Sequence, residues 1–459
     1  MVASPNPEQT QENTLLADRL LRPFQQFART ESSGGIVLLV STAVALVWAN
    51  SPWSQSYFDL WERKFTLGVE GGVLTMSLHH WINDGLMAVF FFLVGLEIKR
   101  EMLVGELASA RLAALPIAAA IGGMVVPAAI YVAFNAGGPG ARGWGIPMAT
   151  DIAFALGVLA LLGPRVPAAL KVFLAALAIA DDIGAVLVIA VFYTADLSWA
   201  SLALGGGLLA ALIAVNRSGV RHPAIYLLLG VALWGAFLSS GVHATVAGVL
   251  FAMTIPSRTR INEDEFVRRA KESLREFEQA CGPDTSVLSN NQQQEAVHAL
   301  EGACEGVQAP LLTMERKLHA LVAFGIMPLF ALANAGVRVS AELFAGISWA
   351  VTLGVFVGLL LGKPLGITAL SWLSVRRGMA ALPGAVRWRE LHGVSWLGGI
   401  GFTMSLFIAN LAFGTTNLLD SAKIGILLAS LAAGVVGWAL LRDVGASPAP
   451  SLEEAADSE

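Results

Sequence analysis

Long apolar runs separated by short polar connections fill the chain from about residue 34 to residue 441. Eight lie at roughly Gly34 to Asn50, Trp81 to Leu96, Leu112 to Phe134, Gly145 to Leu162, Ala168 to Tyr193, Ala200 to Val215, Pro223 to Leu238 and Val242 to Ile255. After a polar insert come Leu318 to Gly336, Trp349 to Trp372, Val394 to Phe413 and Ala422 to Leu441. A helix rises about 1.5 Å per residue and the hydrocarbon core is about 30 Å thick, so the pattern predicts an all-α polytopic membrane protein with twelve transmembrane helices. Two stretches break it. Between Tyr57 and Leu78 the apolar period falls to two, as in Phe65, Leu67 and Val69, and Gly71-Gly72 offers a turn. That predicts a small outer β-hairpin, 57–78. In the insert, Phe266, Ala270, Leu274 and Phe277 make one apolar stripe and Val297, Leu300, Cys304 and Val307 another. Helical spacing on both predicts a helical hairpin outside the bilayer.

Composition agrees with the pattern. The 459 residues are 55% hydrophobic and 14% charged, where a soluble domain carries about a quarter charged residues. The formal charge of -5 decides little, because the placement of Lys and Arg sets topology. With the N-terminus inside, fifteen basic residues outside the insert, among them Lys99, Arg100, Arg165, Arg376 and Arg389, face the cytoplasm. Five face out: Arg63, Lys64, Arg142, Arg338 and Lys423. Both termini are therefore placed inside.

The expected division is a cytoplasmic N-terminal segment 1–33, with an interfacial helix around Leu16, Leu20, Phe24 and Phe27, then spans 1 to 8 over 34–256. The cytoplasmic hairpin insert 257–316, spans 9 to 12 over 317–442 and a disordered tail 443–459 follow. No cleavable signal is visible, since residues 1 to 30 are polar. Cys281 and Cys304 both fall in the insert, where a cytoplasmic setting keeps them as thiols. Nothing in the insert has ligand or nucleotide spacing, and no cofactor or nucleic-acid partner is expected.

Few ionisable residues fall at bilayer depth. Asp181 and Asp182 sit in the middle of the run from Ala168 to Tyr193. A charge at the centre of a transmembrane helix costs roughly 2.5 to 3.5 kcal/mol even on a lenient scale, so two together need a use. Neighbours on a helix point about 100° apart, so one carboxylate can hold a cation while the other holds a protein charge. Asp151, in Ala149-Thr150-Asp151, and Lys363, in Gly362-Lys363-Pro364, are the other deep charges. Glu97 lies near an inner end and His243 near an outer one, where an interfacial glutamate and a satisfied core histidine are the plain readings. Backbone breakers gather beside these charges: Gly145 and Pro147 before Asp151, and Gly398, Gly399 and Gly401 before Phe402-Thr403-Met404-Ser405.

Seven stretches, in order, resemble signatures of NhaA-type sodium/proton antiporters. They are Phe91 to Glu101, Ala149 to Gly157, Ala180 to Ala185, Gly241 to Thr245, Phe330 to Gly336, Gly362 to Gly366 and Gly401 to Ser405. Interrupted spans in matching positions of inverted repeats mark secondary transporters, NhaA-type carriers themselves among them, so that sign and this resemblance are not independent. The resemblance implies inverted repeats, spans 3 to 5 and 10 to 12, with two discontinuous crossed helices. It implies an ion and proton site at Asp181 and Asp182, with Asp182 the direct ligand and Asp181 paired to Lys363. Asp151 and Lys363 would compensate half-helix dipoles, Thr150 would stand near the ion, and Glu97, Glu315 and His243 would serve the pH response. It further implies a homodimer through the hairpin, in a bacterial inner membrane. The long insert departs from the family pattern.

Sodium or lithium, as a hard cation, wants oxygen ligands, and protons competing for the same oxygens would couple the two flows. If the cycle moves net charge, membrane potential contributes roughly 2.3 kcal/mol per charge per 100 mV. A sodium-coupled solute symporter is the nearest competing reading. An intramembrane aspartyl protease is the enzyme alternative, although neither Ala149-Thr150-Asp151 nor Ile179-Ala180-Asp181 supplies its Gly-x-Gly-Asp element.

Overall fold

The apolar runs form helices because, in hydrocarbon, backbone N–H and C=O groups have only each other as partners. The computed structural model describes residues 31–69, 72–194, 197–220, 222–281, 290–340, 346–384 and 386–442. The expected interfacial helix around Leu16 to Phe27, the turn residue Gly71, the Gly282-Pro283-Asp284 loop and the tail from 443 lie outside these residues. In order, the first half holds α1 (Glu31–Ala49), α2 (Ser54–Glu62), strands β1 (Lys64–Val69) and β2 (Gly72–Ser77), α3 (Leu78–Val104), α4 (Ala110–Asn135), α5 (Ile152–Leu161), α6 (Ala168–Phe192), α7 (Trp199–Arg217), α8 (Pro223–Leu238) and α9 (Ala244–Thr254). The second half holds α10 (Glu263–Gln279), α11 (Asn291–Val307), α12 (Pro310–Asn334), α13 (Trp349–Arg376), α14 (Trp388–Leu397), α15 (Phe402–Phe413) and α16 (Asn417–Leu441). A 3-10 stretch, Ala141–Met148, leads into α5.

Among the described residues, eight helices are long and apolar enough to cross a membrane, and ten if each of two bent pairs counts once. The pairs are α1 with α2, bent by 112°, and α14 with α15, bent by 48°. The apolar helices α8 and α9 are shorter. The protein is thus a mostly helical, multi-pass membrane protein with one small described sheet.

That sheet is the predicted hairpin, antiparallel from Lys64↔Ser77 to Val69↔Gly72. Its expected first third is instead the helix α2. Tyr57 and Trp61 are four apart, so a helix buries both on one face, and the period of two begins only after Arg63. The Tyr57 hydroxyl donates to Leu332 O (2.7 Å) and accepts from Gly336 N (3.1 Å), fastening α2 to the end of α12.

The insert also differs in detail. Its two helices pack on each other, each begun by an asparagine cap, Asn262 and Asn290. The buried positions are Ser273 on α10 and Gln293, Ala296, Ala303 and Gly306 on α11. Leu274 and Val297, expected in the stripes, are 51% and 36% exposed. Small residues let the axes approach, which leaves the larger apolar side chains at the flank. At the base, the N–H groups of Arg260 and Ile261 donate to Gly306 O (2.8 and 3.1 Å). Because α12 starts at Pro310, residues 310–316 continue into the next long helix rather than ending the insert.

Deep in the bundle, α4 and α13 touch backbone to backbone. A Cβ on Gly122 would overlap the Gly366 carbonyl, and one on Gly366 would overlap the Gly122 carbonyl. This approach seats Lys363, three residues before Gly366, in the interior with 1% exposure.

Candidate ion-binding site

Two chain breaks meet at the centre. The first runs from Met148 to Ile152, where Pro147 and the extended residues Ala149 and Asp151 interrupt the helix. The second, Gly398 to Gly401, separates α14 from α15. Backbone groups freed at one break bond to the other: Asp151 N donates to Ile400 O (2.7 Å), Thr150 Oγ1 to Gly398 O (3.0 Å) and Ser405 Oγ to Ile146 O (2.8 Å). In a membrane interior each such group left unpaired would cost several kcal/mol, so the breaks stabilise one another.

Asp151 ties the two half-helices together. Its Oδ1 accepts from Phe154 N (3.0 Å), capping α5, and its Oδ2 accepts from Thr403 N (3.1 Å) and Thr403 Oγ1 (2.5 Å) at the start of α15. A single negative charge therefore faces two helix N-termini, each equivalent to about half a positive charge. Asp151→Ala removes both caps, so we expect a loss of about 1–4 kcal/mol, with Asp151→Asn losing less because it keeps an acceptor. Thermal unfolding of the detergent-solubilised variants reads this order directly, and an alanine variant as stable as the parent contradicts the double-cap role.

The acid doublet lies on α6, Asp181 1% and Asp182 3% exposed. Lys363 Nζ donates to Asp181 Oδ2 (2.5 Å) and to Thr150 Oγ1 (2.5 Å), and the same threonine hydroxyl donates onward to Gly398 O. One chain of contacts thus links the doublet, the lysine and both breaks. In the doublet, two fully buried oxygens have no hydrogen-bond partner among the described residues, Oδ1 of Asp181 and Oδ1 of Asp182. A buried carboxylate oxygen that no protein group serves is a place for a cation or a proton. Asp182 is also within electrostatic range of Asp181, Glu97, Lys363 and Asp151.

The other predicted residues form two separate clusters. Glu97 is within electrostatic range of Glu315, Arg100 and Glu101, and Arg100 pairs with Glu315 at 2.8 Å. Lys99, beside them, donates to Met253 O (2.7 Å) and Ile255 O (2.5 Å), closing the C-terminal end of α9. His243 instead faces Asp84 (3.5 Å) and Thr245 (3.0 Å). Asp84 and Glu97 are thirteen residues apart on α3, which is about 20 Å along the axis. His243 therefore does not join the two glutamates. Thr403, within the motif Gly401 to Ser405, supplies the donors through which α15 meets Asp151; its place as second residue of a helix that follows a glycine break is the signal for that contact.

The family model for "Na+/H+ antiporter 1" matches residues 25–441. Among similar curated proteins, a Na(+)/H(+) antiporter NhaA of Oleidesulfovibrio alaskensis is 54% identical over 93% of this chain and 94% of its own length. One of Koribacter versatilis is 53% identical over 92% of this chain and 91% of its own. A third, of Sulfurimonas denitrificans, is 45% identical over 94% of this chain and 97% of its own. With nearly the full length matched, and the glycine breaks, the acid doublet and the deep lysine meeting in one site, this chain belongs to the Na+/H+ antiporter 1 family.

Proposed function

We propose that this protein exchanges sodium, or lithium, for protons across a bacterial inner membrane, with one set of carboxylate oxygens serving both ions in turn. The observation that carries the reading is the unserved Oδ1 of Asp182 beside the Lys363–Asp181 pair, in a chain of this family. Asp182 takes the role of direct ligand because no protein cation claims it. Asp181 holds Lys363, with Thr150 available as a neutral oxygen, and Asp151 stabilises the half-helix ends. The protease reading loses ground here, since both oxygens of Asp151 are engaged at helix N-termini and neither is available to activate water.

Several finer features follow the same reading. The eight long helices, the two bent pairs and the two shorter helices together support twelve spans, and the hydrogen bonds between the breaks support crossed discontinuous helices in two inverted repeats. The skew of basic residues supports cytoplasmic termini, and with them an inner-face position for the insert 257–316 as a cap. The clustering of Glu97, Glu315 and Arg100 supports a pH response at that face, with His243 acting separately. Neither edge of the two-stranded sheet is paired within the described residues, which supports a homodimer joined through the hairpin.

The test is direct. In proteoliposomes loaded with a pH dye, an imposed sodium gradient should drive proton movement in the opposite direction, with lithium able to replace sodium. Sodium-dependent uptake of an organic solute without proton movement would instead make the protein a symporter.

A further inference from the structure

One signature stretch, Phe330 to Gly336, takes no part in the ion site, yet its Asn334 anchors a part-buried polar cluster at the hairpin end of the bundle. Asn334 is fully buried (0% exposed) near the end of α12. Its Nδ2 donates to Phe330 O (2.9 Å), which leaves Oδ1 as an acceptor for two donors from different elements. His79 Nε2, at the start of α3, lies 3.0 Å away, and Asn410 Nδ2, on α15, lies 2.9 Å away. Nearby, Lys423 Nζ on α16 reaches Gly336 O (3.5 Å), just past the α12 terminus, from a position 8% exposed.

The elements joined here differ in kind. α15 and α16 belong with the breaks: α15 is held at its first turn by Asp151 and packs on α16. α12 and α3 belong to the other group, and α12 is fastened to α2 beside the hairpin through Tyr57. Asn410 is seven residues beyond Thr403 on the same helix, about 10 Å along its axis from the Asp151 contact. If α15 moves with the acid doublet while α12 stays with the hairpin, the Asn410–Asn334 bond has to break. An amide pair suits such a junction. It holds one register while paired, and on parting each group keeps a second partner, His79 Nε2 on Asn334 Oδ1 (3.0 Å) and Leu406 O for Asn410 Nδ2 (2.8 Å), so neither is left unserved and the bond can open and close.

We propose that Asn410–Asn334, reinforced by Lys423–Gly336, is the latch that closes the hairpin side of the transport path. Asn334 and Asn410 are thus positioning residues of the exchange cycle, acting through the movement of α15 rather than by touching the ion. This inference rests on the antiport reading above. It locates the closure that alternating access requires on the side opposite the Glu97–Glu315 cluster.

The test uses protein in which Cys281 and Cys304 are replaced by serine. With Asn334→Cys and Asn410→Cys added, oxidation should cut sodium/proton exchange at least tenfold and reduction should restore it, while sodium binding to the oxidised protein persists. Persisting binding with blocked exchange separates a jammed latch from an error in the ion site. Full exchange in quantitatively cross-linked protein overturns the proposal. A second variant avoids dependence on that double substitution. Val337→Cys, at a position 2% exposed, should react with a membrane-impermeant maleimide from the hairpin side several-fold faster when Asn410→Ala is added. Equal labelling rates with and without Asn410→Ala also overturn it.

Discussion

Asp182→Asn is expected to reduce sodium-driven proton movement in proteoliposomes to the level of protein-free vesicles, a loss of at least about 100-fold, while the protein remains folded. The physical reason is specific to this position. Asparagine keeps the volume and one carbonyl oxygen, but it has neither a negative charge to hold an alkali cation against its water shell nor a proton to exchange. The substitution should not unfold the protein, because Oδ1 of Asp182 serves no other group and removing a buried charge relieves a cost. Sodium/proton exchange retained in this variant would end the assignment of Asp182 as the ligand.

The second large effect is on stability. Lys363→Ala takes the ammonium from between Asp181 and Thr150 and leaves the Asp181 carboxylate buried without its counter-charge. Breaking a buried pair by removing one partner costs about 3–5 kcal/mol, whereas removing both is far milder. The thermal midpoint of Lys363→Ala should therefore fall well below that of the parent. Pairing Lys363→Gln with Asp181→Asn should recover most of the loss. An unchanged midpoint for Lys363→Ala would contradict the role of the pair.

The membrane-spanning helices were legible because hydrocarbon leaves the backbone one choice, so apolar length alone announces a span. The acid doublet was legible for the same reason inverted: charge in such a run is expensive enough to demand a function. Pro147 and the glycines from Gly398 to Gly401 marked the breaks, since both residue types weaken helices. Partners across the breaks were a different matter. That Asp151 caps α15 as well as α5, or that Thr150 stands between Lys363 and Gly398, depends on contacts between residues some 210 to 250 positions apart. Periodicity carries no such information. The same limit hid the Asn334–Asn410 pair, whose side chains are uncharged and draw no notice in an apolar run. Local errors had local causes. Tyr57 and Trp61 share the apolar character of the strand that follows them, and in the insert the large apolar side chains set the visible stripe while small residues make the contact.

Competition between the two ions is the centre of this account, and sodium binding to the purified protein by calorimetry at a series of pH values tests it most directly. If each sodium ion displaces one proton from the doublet, the apparent Kd should fall about tenfold for each pH unit raised over the range in which the doublet is protonated. Heats measured in buffers of different ionisation enthalpy should report the released proton. A sodium affinity that stays constant across that range, in folded protein with Asp181 and Asp182 intact, would contradict the account.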